Sequence, residues 1–487
     1  MKSRFYITTP IFYVNSAPHI GHAFTMVASD VIARAQRARG KDVFFLTGTD
    51  EHGAKIAQAA EKQAKNPQQF TDEVSKTFRD LTELLSISNS YFIRTTDKEI
   101  HQPGVIKLWN ELVNRGALYK GSYEGLYCVG HEAYLKSSDL VNGVCPDHKT
   151  APQLLREENY FFKLTDYVKQ LKQLYLDGTI VIRPHHRTNE VLQMLEDSED
   201  VSFSRPRTAV QWGIPVPGDD NQLIYVWADA LTNYISAIGY GRNDEWQATW
   251  PADVHMIGKD ILRFHAITWP AMLLALGMDL PKAIYAHGHL TVDGEKMSKT
   301  IGNVVNPFDL AQKYPVDVIR YFLMREISSA EDGDFSEEKI KDRYRGDLAH
   351  NLGNLVSRVA TLVEKKCDTI VNIAHIDPVL DEQKTILASR YNTSIDNFKL
   401  NEALAELWQF YTFLNQYLNE HKPWDKNATD QDIQSTLATV AFAIHHSVQY
   451  LEPFMPEISK KISADFRLDS NGNLSVTKTS ALFPLES

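Results

Sequence analysis

The four residues His19-Ile20-Gly21-His22 have the types and the spacing to bind a phosphate chain. They follow a short apolar run, Arg4 to Thr8, and open a periodic apolar segment that ends at Gly40, which predicts a strand-to-helix turn. The first turn of a helix offers unpaired backbone N–H groups and the positive end of the dipole. The imidazoles would donate to phosphate oxygens, and Gly21 would let a base approach the backbone. The alternative is two surface histidines at a helix start.

A second segment, Lys296-Met297-Ser298-Lys299-Thr300, follows the turn residues Asp293 and Gly294. Two lysines three positions apart beside a glycine turn can clamp a leaving pyrophosphate, although a lone pair of this kind is usually a solvated loop. The segment follows the last predicted strand of an α/β region, and open sheets bind ligands at the carboxyl ends of their strands. Because neither a P-loop nor a dinucleotide fingerprint is present, these two segments carry the prediction of a nucleotide site.

Two cysteine–histidine pairs have the spacing of a metal site. Cys128 and His131 are separated by two residues, as are Cys145 and His148, and thirteen residues lie between the pairs. Four such ligands suffice for a closed tetrahedral Zn²⁺ site, which would be structural because no position stays open for water. The alternative is a loop without metal.

The predicted elements form a split α/β region followed by helices. A strand, a helix and a strand in the first fifty residues make a βαβ unit, so the sheet should be parallel. The same order returns from Val254 to Ala286, and clean helical spacing begins at Asp347. The predicted boundaries are 1–118 for the first half of the split α/β domain, 119–215 for an insertion, 216–289 for the second half, 290–346 for a linker with the lysine loop, and 347–487 for a helical domain.

Composition limits the classes of protein that remain. The 487 residues carry a net charge of −11, so binding to nucleic acid would need a local basic face. Three cysteines do not make a disulfide framework, which favours a reducing compartment. The N-terminus lacks an apolar run of signal-peptide length, and the apolar stretches are too short to span a bilayer. We therefore expect a cytoplasmic protein without a membrane partner.

The two signatures together resemble those of the class I aminoacyl-tRNA synthetases, and longer stretches resemble the methionyl-tRNA synthetase family. Those stretches are Pro10 to Pro18, Gly48 to Gly53, Tyr225 to Ala230 and Ile257 to Asp260. The resemblance implies a split Rossmann-like parallel sheet, a connective insertion with a zinc knuckle, and a C-terminal α-helical bundle. In this family the second zinc ligand is commonly Cys, where this chain has His131.

The resemblance also implies the residues that bind the small substrates. Asp50 matches the carboxylate that meets the ammonium group of L-methionine, and aromatic walls suit its soft thioether. The residues that match the methionine pocket are Ile11, Tyr13, Trp227, Ala230, Leu231, Tyr234, Ile261 and His265. The residues implied for ATP, which is expected with Mg²⁺, are His19, Gly21, His22, Gly258, Asp260, Leu290, Lys296, Met297, Ser298 and Lys299. Ordinary core packing is the alternative for Trp227 and Tyr234.

Three residues of the helical region match positions that read an anticodon. Asn354 and Arg358 are four positions apart, so they share one helix face, and Trp424 follows Lys422 and Pro423. An amide and a guanidinium can hydrogen-bond base edges, and an indole can stack on an unpaired base. The alternatives are a solvated charged face for the helix and a buried core position for Trp424.

The implied activity is that of a methionine–tRNA ligase. Methionine would react with ATP to give methionyl-adenylate and pyrophosphate, with His19, His22, Lys296 and Lys299 as the catalytic residues, and then pass to the 3′ end of tRNA(Met). Two rivals are a tRNA-binding module that has lost catalysis and a small-molecule nucleotidylyltransferase. Methionine-dependent exchange of pyrophosphate into ATP separates the three. We expect a monomer, because the chain ends at Ser487 without the added RNA-binding domain through which family members commonly dimerise.

Overall fold

The computed structural model describes residues 3–130, 133–135, 139–147, 149–297, 302–328, 331–477 and 480–484. The chain divides into two compact units. The first unit comprises Met1–Pro18, Lys41–Glu83 and Ser88–His287, and the second comprises His19–Gly40, Leu84–Ile87 and Gly288–Ser487.

The strands are β1 (Arg4–Tyr13), β2 (Asp42–Asp50), β3 (Tyr91–Arg94), β4 (Leu118–Cys128), β5 (Ala133–Leu135), β6 (Gln153–Phe162), β7 (Val181–Arg183), β8 (Val201–Ser202), β9 (Ser204–Pro206), β10 (Pro215–Val216), β11 (Asp219–Ile224), β12 (Val254–Gly258), β13 (Ala283–His287), β14 (Leu290–Val292), β15 (Glu295–Lys296), β16 (Gly333–Phe335), β17 (Ile370–Asn372), β18 (Phe466–Leu468) and β19 (Asn473–Val476). The α-helices are α1 (Ile20–Ala38), α2 (Ala54–Lys62), α3 (Pro67–Leu84), α4 (Gln102–Asn114), α5 (Thr165–Leu176), α6 (Arg187–Glu196), α7 (Val226–Leu231), α8 (Asn233–Ser236), α9 (Trp269–Leu276), α10 (Pro307–Lys313), α11 (Val316–Glu326), α12 (Glu337–Arg343), α13 (Asn354–Lys366), α14 (Val379–Asp396), α15 (Leu400–His421), α16 (Asp430–Leu451) and α17 (Pro456–Asp465).

A six-stranded sheet forms the centre of the first unit, in the order β3-β2-β1-β12-β13-β7. All of its neighbouring strands pair in parallel, which confirms the prediction. Its four inner strands are buried along most of their length, as is typical of a parallel sheet. Gly48 is required within it, because a Cβ there would lie 2.1 Å from the carbonyl oxygen of Ile93.

The first strand is longer than the apolar run Arg4 to Thr8 indicated. β1 continues to Tyr13 and shifts register against β2 between Thr8 and Ile11, around Pro10. Proline has no N–H to donate to the ladder, so it interrupts pairing without ending the strand. The extension places Ile11 opposite Gly48 and Tyr13 opposite Asp50.

The connective region contains an antiparallel sheet in the order β5-β4-β6-β8. β4 and β6 pair along ten residues, from Leu118 opposite Phe162 to Tyr127 opposite Gln153. Within the range predicted as the insertion, β7 instead pairs with β13 at the edge of the parallel sheet.

The second unit is mainly helical, as predicted for the C-terminal region. A buried ion pair joins α1 to α11, since Arg320 Nη2 lies 2.7 Å from Asp30 Oδ2 and neither side chain is exposed. The Arg320 guanidinium also donates to the carbonyl oxygens of Leu85, Pro453 and Phe454. The stretch from Tyr344 to Gly353 is π-helical and leads into α13. The segment after Asp469 forms β19, which lies between β17 and β18 in a three-stranded sheet.

Candidate active site

The start of α1, in the second unit, is capped by its own histidines. The Gly21 N–H donates to His19 Nδ1 at 3.1 Å, and the His19 N–H donates to His22 Nδ1 at 3.0 Å. The two rings stack with centroids 3.8 Å apart. Because each Nδ1 accepts a hydrogen bond, a neutral ring must carry its proton on Nε2. The predicted phosphate-binding turn therefore carries two imidazole N–H donors beside the amides of a helix N-terminus.

Met297 of the lysine signature and Val305, which follows the signature, lie against this turn within the same unit. A Cβ on Gly21 would lie 3.6 Å from the Met297 Cε, and the Ile20 N–H donates to the Val305 carbonyl at 2.9 Å. Asp293 and Gly294 both have positive φ, at 51° and 80°, which is the conformation of a tight two-residue hairpin. The side chain of Lys296 and the whole of Ser298 and Lys299 lie outside the described residues. The structure thus brings together His19, Gly21, His22 and Met297, with Leu290 buried in β14.

The predicted methionine pocket lies in the first unit and includes a neutral histidine. His265 Nδ1 lies 3.0 Å from the Ile261 carbonyl oxygen, and His265 Nε2 lies 2.7 Å from the Tyr234 hydroxyl. A carbonyl can only accept, so Nδ1 carries the proton and Nε2 accepts from the hydroxyl. Burial lowers the pKa of His265 to about 4, which keeps the ring uncharged. An uncharged Tyr234–His265 pair is compatible with the uncharged thioether of methionine.

A backbone distortion brings an unpredicted aromatic residue into contact with Trp227. The helix expected between the two strands of the Val254 to Ala286 segment is a 3₁₀ turn over Lys259–Ile261, a π-helix over Phe264–Thr268 and then α9. Phe264 stacks on Trp227 with centroids 3.8 Å apart and planes at 8°. Ala230 and Leu231 follow Trp227 on α7 and are buried. π-helical turns are frequent at functional sites, but nothing in the apolar spacing signalled this one.

A second buried histidine, His255, lies beside the pocket and was not predicted. The Trp269 indole N–H donates to His255 Nε2 at 3.3 Å, so His255 Nδ1 carries the proton toward the Thr8 hydroxyl, 2.8 Å away. Burial and the neighbouring His265 lower the pKa of His255 well below its usual range. The sequence signal that could have indicated this buried histidine is its position within the apolar run Val254 to Ile257.

The free energy of unfolding should therefore fall as the solution is acidified. An unfolded histidine binds a proton near pH 6.5, whereas His265 resists protonation until about pH 4. The unfolded chain then carries more protons through this range, so His265 alone costs about 2 kcal/mol of stability between pH 7 and pH 5. Denaturant unfolding at the two pH values measures the change. His265→Asn can still donate to the Ile261 carbonyl and should flatten the dependence. An unchanged slope in that variant would contradict the assignment.

Asp50 lies at the carboxyl end of β2 and is nearly buried. The next residue, Glu51, is fully buried and paired with Arg94, with Oε1 at 2.7 Å from Nε and Oε2 at 2.8 Å from Nη2. The Trp212 indole N–H also donates to the Glu51 carbonyl at 2.6 Å. These bonds fix the backbone beside Asp50 opposite Tyr13 of β1.

The predicted ribose contacts lie at the end of β12 in the same unit. A Cβ on Gly258 would lie 2.6 Å from Asp260 Oδ1, so the carboxylate occupies the space that a side chain would need. Parallel strands end together, and β1, β2 and β12 are consecutive in the sheet order. Asp50, Tyr13, Gly258 and Asp260 therefore collect at one sheet edge, where ligands bind in α/β folds.

The predicted anticodon residues lie at one face of the helical unit. The Arg358 guanidinium lies 5.2 Å from the centroid of the Trp424 ring and donates from Nη2 to Asn419 Oδ1 at 2.9 Å. Asn354 is exposed at the start of α13. Trp424 is 41% exposed, which argues against the alternative of a core position.

Half of the predicted zinc site can be described. Cys128, at the end of β4, and Cys145 are both buried. Asn142 and Gly143 form a tight turn at φ values of 54° and 78°, and the Lys149 N–H donates to the Cys145 carbonyl at 2.8 Å. His131 and His148 lie outside the described residues. Among the residues that are described, no group of three or more His, Cys, Asp or Glu could hold a metal. Two buried thiols, one of them two residues after a tight turn, fit part of a Zn²⁺ site.

Known protein families match most of the chain. The family "tRNA synthetases class I (M)" matches residues 5–154 and 135–360, and the "Anticodon-binding domain of tRNA ligase" matches residues 383–484. A methionine–tRNA ligase of Thermotoga maritima is 42% identical over 94% of this chain and 74% of its own length. One of Brucella suis is 40% identical over 95% of this chain and 91% of its own.

Solved structures agree with the sequence relatives. A methionyl-tRNA synthetase of Mycobacterium tuberculosis bound by methionyl-adenylate has a TM-score of 0.93 and 35% identity, and it covers 99% of this chain and 100% of that one. The apo form has a TM-score of 0.86 and 32% identity, and it covers 100% of this chain and 99% of that one.

The chain belongs to the class I tRNA synthetases. Within that class it falls in the methionine–tRNA ligase family, and it is a ligase with an anticodon-binding domain. In the portion of the chain that the structure describes, no helix is both long and apolar enough to cross a membrane.

Proposed function

We propose that the chain activates methionine with ATP at the two histidines of α1 and then transfers it to the 3′ end of tRNA(Met). The observation that carries this is the pair of backbone N–H groups that donate to the Nδ1 atoms of His19 and His22, which leaves Nε2 of each neutral ring as the donor. Two N–H donors at a helix N-terminus can stabilise negative charge that grows on the α-phosphate as the carboxylate attacks. Such chemistry needs positioning and charge stabilisation more than acid or base groups.

Methionine-dependent exchange of pyrophosphate into ATP tests this function. We expect exchange that requires methionine and is not supported by other amino acids at equal concentration. A binding module without catalysis would give none, and a small-molecule nucleotidylyltransferase would give none that depends on methionine. Either result would refute the proposal.

The first unit supplies the proposed amino-acid site. Asp50 pairs with the ammonium group, because a partly dry site needs one fixed anion for that charge. Trp227 and Tyr13 contact the thioether, with Ile11, Ala230, Leu231, Tyr234, Ile261 and His265 completing the pocket. Support comes from the strand register that sets Tyr13 opposite Asp50 and from the neutral Tyr234–His265 pair.

The resemblance also assigns the residues that would bind ATP. Gly258 and Asp260 hold the ribose, and Leu290, Gly21 and Met297 pack on the nucleotide. Lys296 and Lys299 would close over the pyrophosphate as it leaves, and Ser298 would complete the ATP contacts that the resemblance implies. Mg²⁺ would accompany ATP and neutralise part of the phosphate charge.

The connective insertion would hold one structural Zn²⁺ through Cys128, His131, Cys145 and His148. We expect about one zinc per chain in protein purified without chelator, because four soft or borderline ligands with this spacing close a tetrahedral site. Elemental analysis measures it, and Cys145→Ser should lower the content. A content near zero in the unaltered chain would contradict the prediction.

The second unit would read the anticodon through Asn354, Arg358 and Trp424. The exposed indole and the guanidinium beside it support this role, because an unpaired base can stack on one and hydrogen-bond to the other. The monomeric state, the cytoplasmic location and the domain boundaries at 118, 215, 289 and 346 remain predictions from the sequence.

A further inference from the structure

A buried carboxylate joins two histidines in the first unit. The side chain of Asp229 is 1% exposed, and each of its oxygens meets one imidazole: Oδ2 lies 2.7 Å from His52 Nδ1, and Oδ1 lies 2.7 Å from His101 Nε2. The remaining nitrogen of His101, Nδ1, lies 2.8 Å from the Ser236 hydroxyl. The cluster thus joins three separate segments of the chain, at His52, at His101 and at 229–236.

The carboxylate is charged despite its burial. Burial alone would raise the pKa of Asp229, but the charges and hydrogen bonds of His52 and His101 outweigh it and hold the pKa at about 2. An ionised carboxylate accepts at both oxygens, so it can receive both imidazole N–H groups at once. An asparagine at this position would have one accepting oxygen, and its NH₂ group would face the N–H donor of one of the two rings.

The cluster links two segments that carry the proposed methionine site. Asp229 lies on α7, two residues after Trp227 and directly before Ala230 and Leu231. His52 lies two residues after Asp50. The Asp229–His52 bond therefore fixes the helix that carries the aromatic wall to the strand end that carries the ammonium-binding carboxylate. His101 holds the second oxygen from the start of α4, so the carboxylate cannot rotate freely.

We propose that Asp229, held by His52 and His101, is a positioning residue that sets the distance between Asp50 and Trp227, and thereby the length of the amino-acid side chain that is accepted. This rests on the proposed roles of Asp50 and Trp227. Stability alone would not require a charged group, because well-packed apolar residues often replace buried ion pairs without loss. A fixed bond between these two segments, however, would keep constant the distance between the groups proposed to bind the ammonium and the thioether of methionine.

Paired substitutions separate positioning from packing. In His52→Asn the amide nitrogen replaces Nδ1 as donor, and in His101→Gln the amide nitrogen replaces Nε2, so both variants can still donate to Asp229. His52→Leu and His101→Met have similar bulk and no donor. Each is assayed by amino-acid-dependent pyrophosphate exchange with methionine and with its longer analogue ethionine, and the melting temperature is recorded on the same preparation.

We expect the KM for methionine to rise about 10- to 100-fold in His52→Leu and His101→Met, with the KM for ATP within about twofold, because a small misplacement of a binding group has effects of this order. The preference for methionine over ethionine should relax in the same variants. The Asn and Gln variants should remain within about threefold of the unaltered chain.

A structural role alone gives a different result. The melting temperature and the active fraction would then fall while KM and the methionine preference stay unchanged, and that outcome overturns the proposal. If His101→Met fails to fold, the His52 pair decides, because His52 lies closer to the surface. Absence of exchange in the unaltered chain would instead refute the proposed function, so the two failures are distinguishable.

Discussion

Replacing His22 with asparagine should lower the rate of methionyl-adenylate formation by about 10²- to 10³-fold, which is the usual loss when one preorganised donor to a transition state is removed. The asparagine Oδ1 can take the place of Nδ1 and accept the His19 N–H, so the cap of α1 is preserved. The side chain is too short to supply a donor where Nε2 lies. Pre-steady-state pyrophosphate release, at saturating ATP and methionine, measures the step.

His22→Gln is the matched control for this substitution. Its amide nitrogen can reach the place of Nε2, but the side chain no longer accepts the His19 N–H. We expect it to retain more activity than His22→Asn while its melting temperature falls, because loss of a helix cap costs about 1 kcal/mol. The reverse order of the two activities would show that His22 acts through the cap and not through the phosphate.

Trp424→Ala should impair tRNA charging and leave pyrophosphate exchange intact. Loss of one stacked base costs about 1–3 kcal/mol, or roughly 5- to 150-fold in kcat/KM for tRNA. The indole is 41% exposed and its described partner is Arg358, so little packing is lost. Exchange, charging and thermal unfolding measured on one preparation give the three quantities.

Leu468→Ala is a suitable control, because Leu468 is another exposed apolar side chain of the same unit. We expect it to charge tRNA normally. Parallel losses in exchange, charging and melting temperature for Trp424→Ala would indicate that the indole supports the fold and does not contact the anticodon.

The regular parts of the fold could be predicted because their signals are local. The three/four spacing from Phe24 onward reports α1, and the β-branched and aromatic runs report β2 and β12. The continuation of β1 through Pro10 could not be predicted, because the pairing that sustains it comes from Gly48 to Asp50 on another strand. The π-helical turn at Phe264 likewise depends on packing that the sequence pattern does not encode.

The residues of the candidate site also fall into those that the sequence pattern reveals and those that it does not. His19, His22, Cys128 and Cys145 are recognisable because their spacing along the chain carries the chemistry. Asp229 was overlooked because its two imidazole partners are 128 and 177 residues away in sequence. Contacts at such separation leave no periodic trace, so the residues that position a site are harder to find than those that meet the substrate.

The hydrogen bonds at the start of α1 also constrain how the phosphate charge is balanced. A ring protonated on both nitrogens could not accept a backbone N–H at Nδ1, so an imidazolium at His19 or His22 would have to break the cap that orients it. The histidines are thereby suited to act as fixed dipoles and not as cations. Under the proposed function, the countercharge of a departing pyrophosphate would then come from other groups, and Lys296, Lys299 and the Mg²⁺ expected with ATP are the candidates.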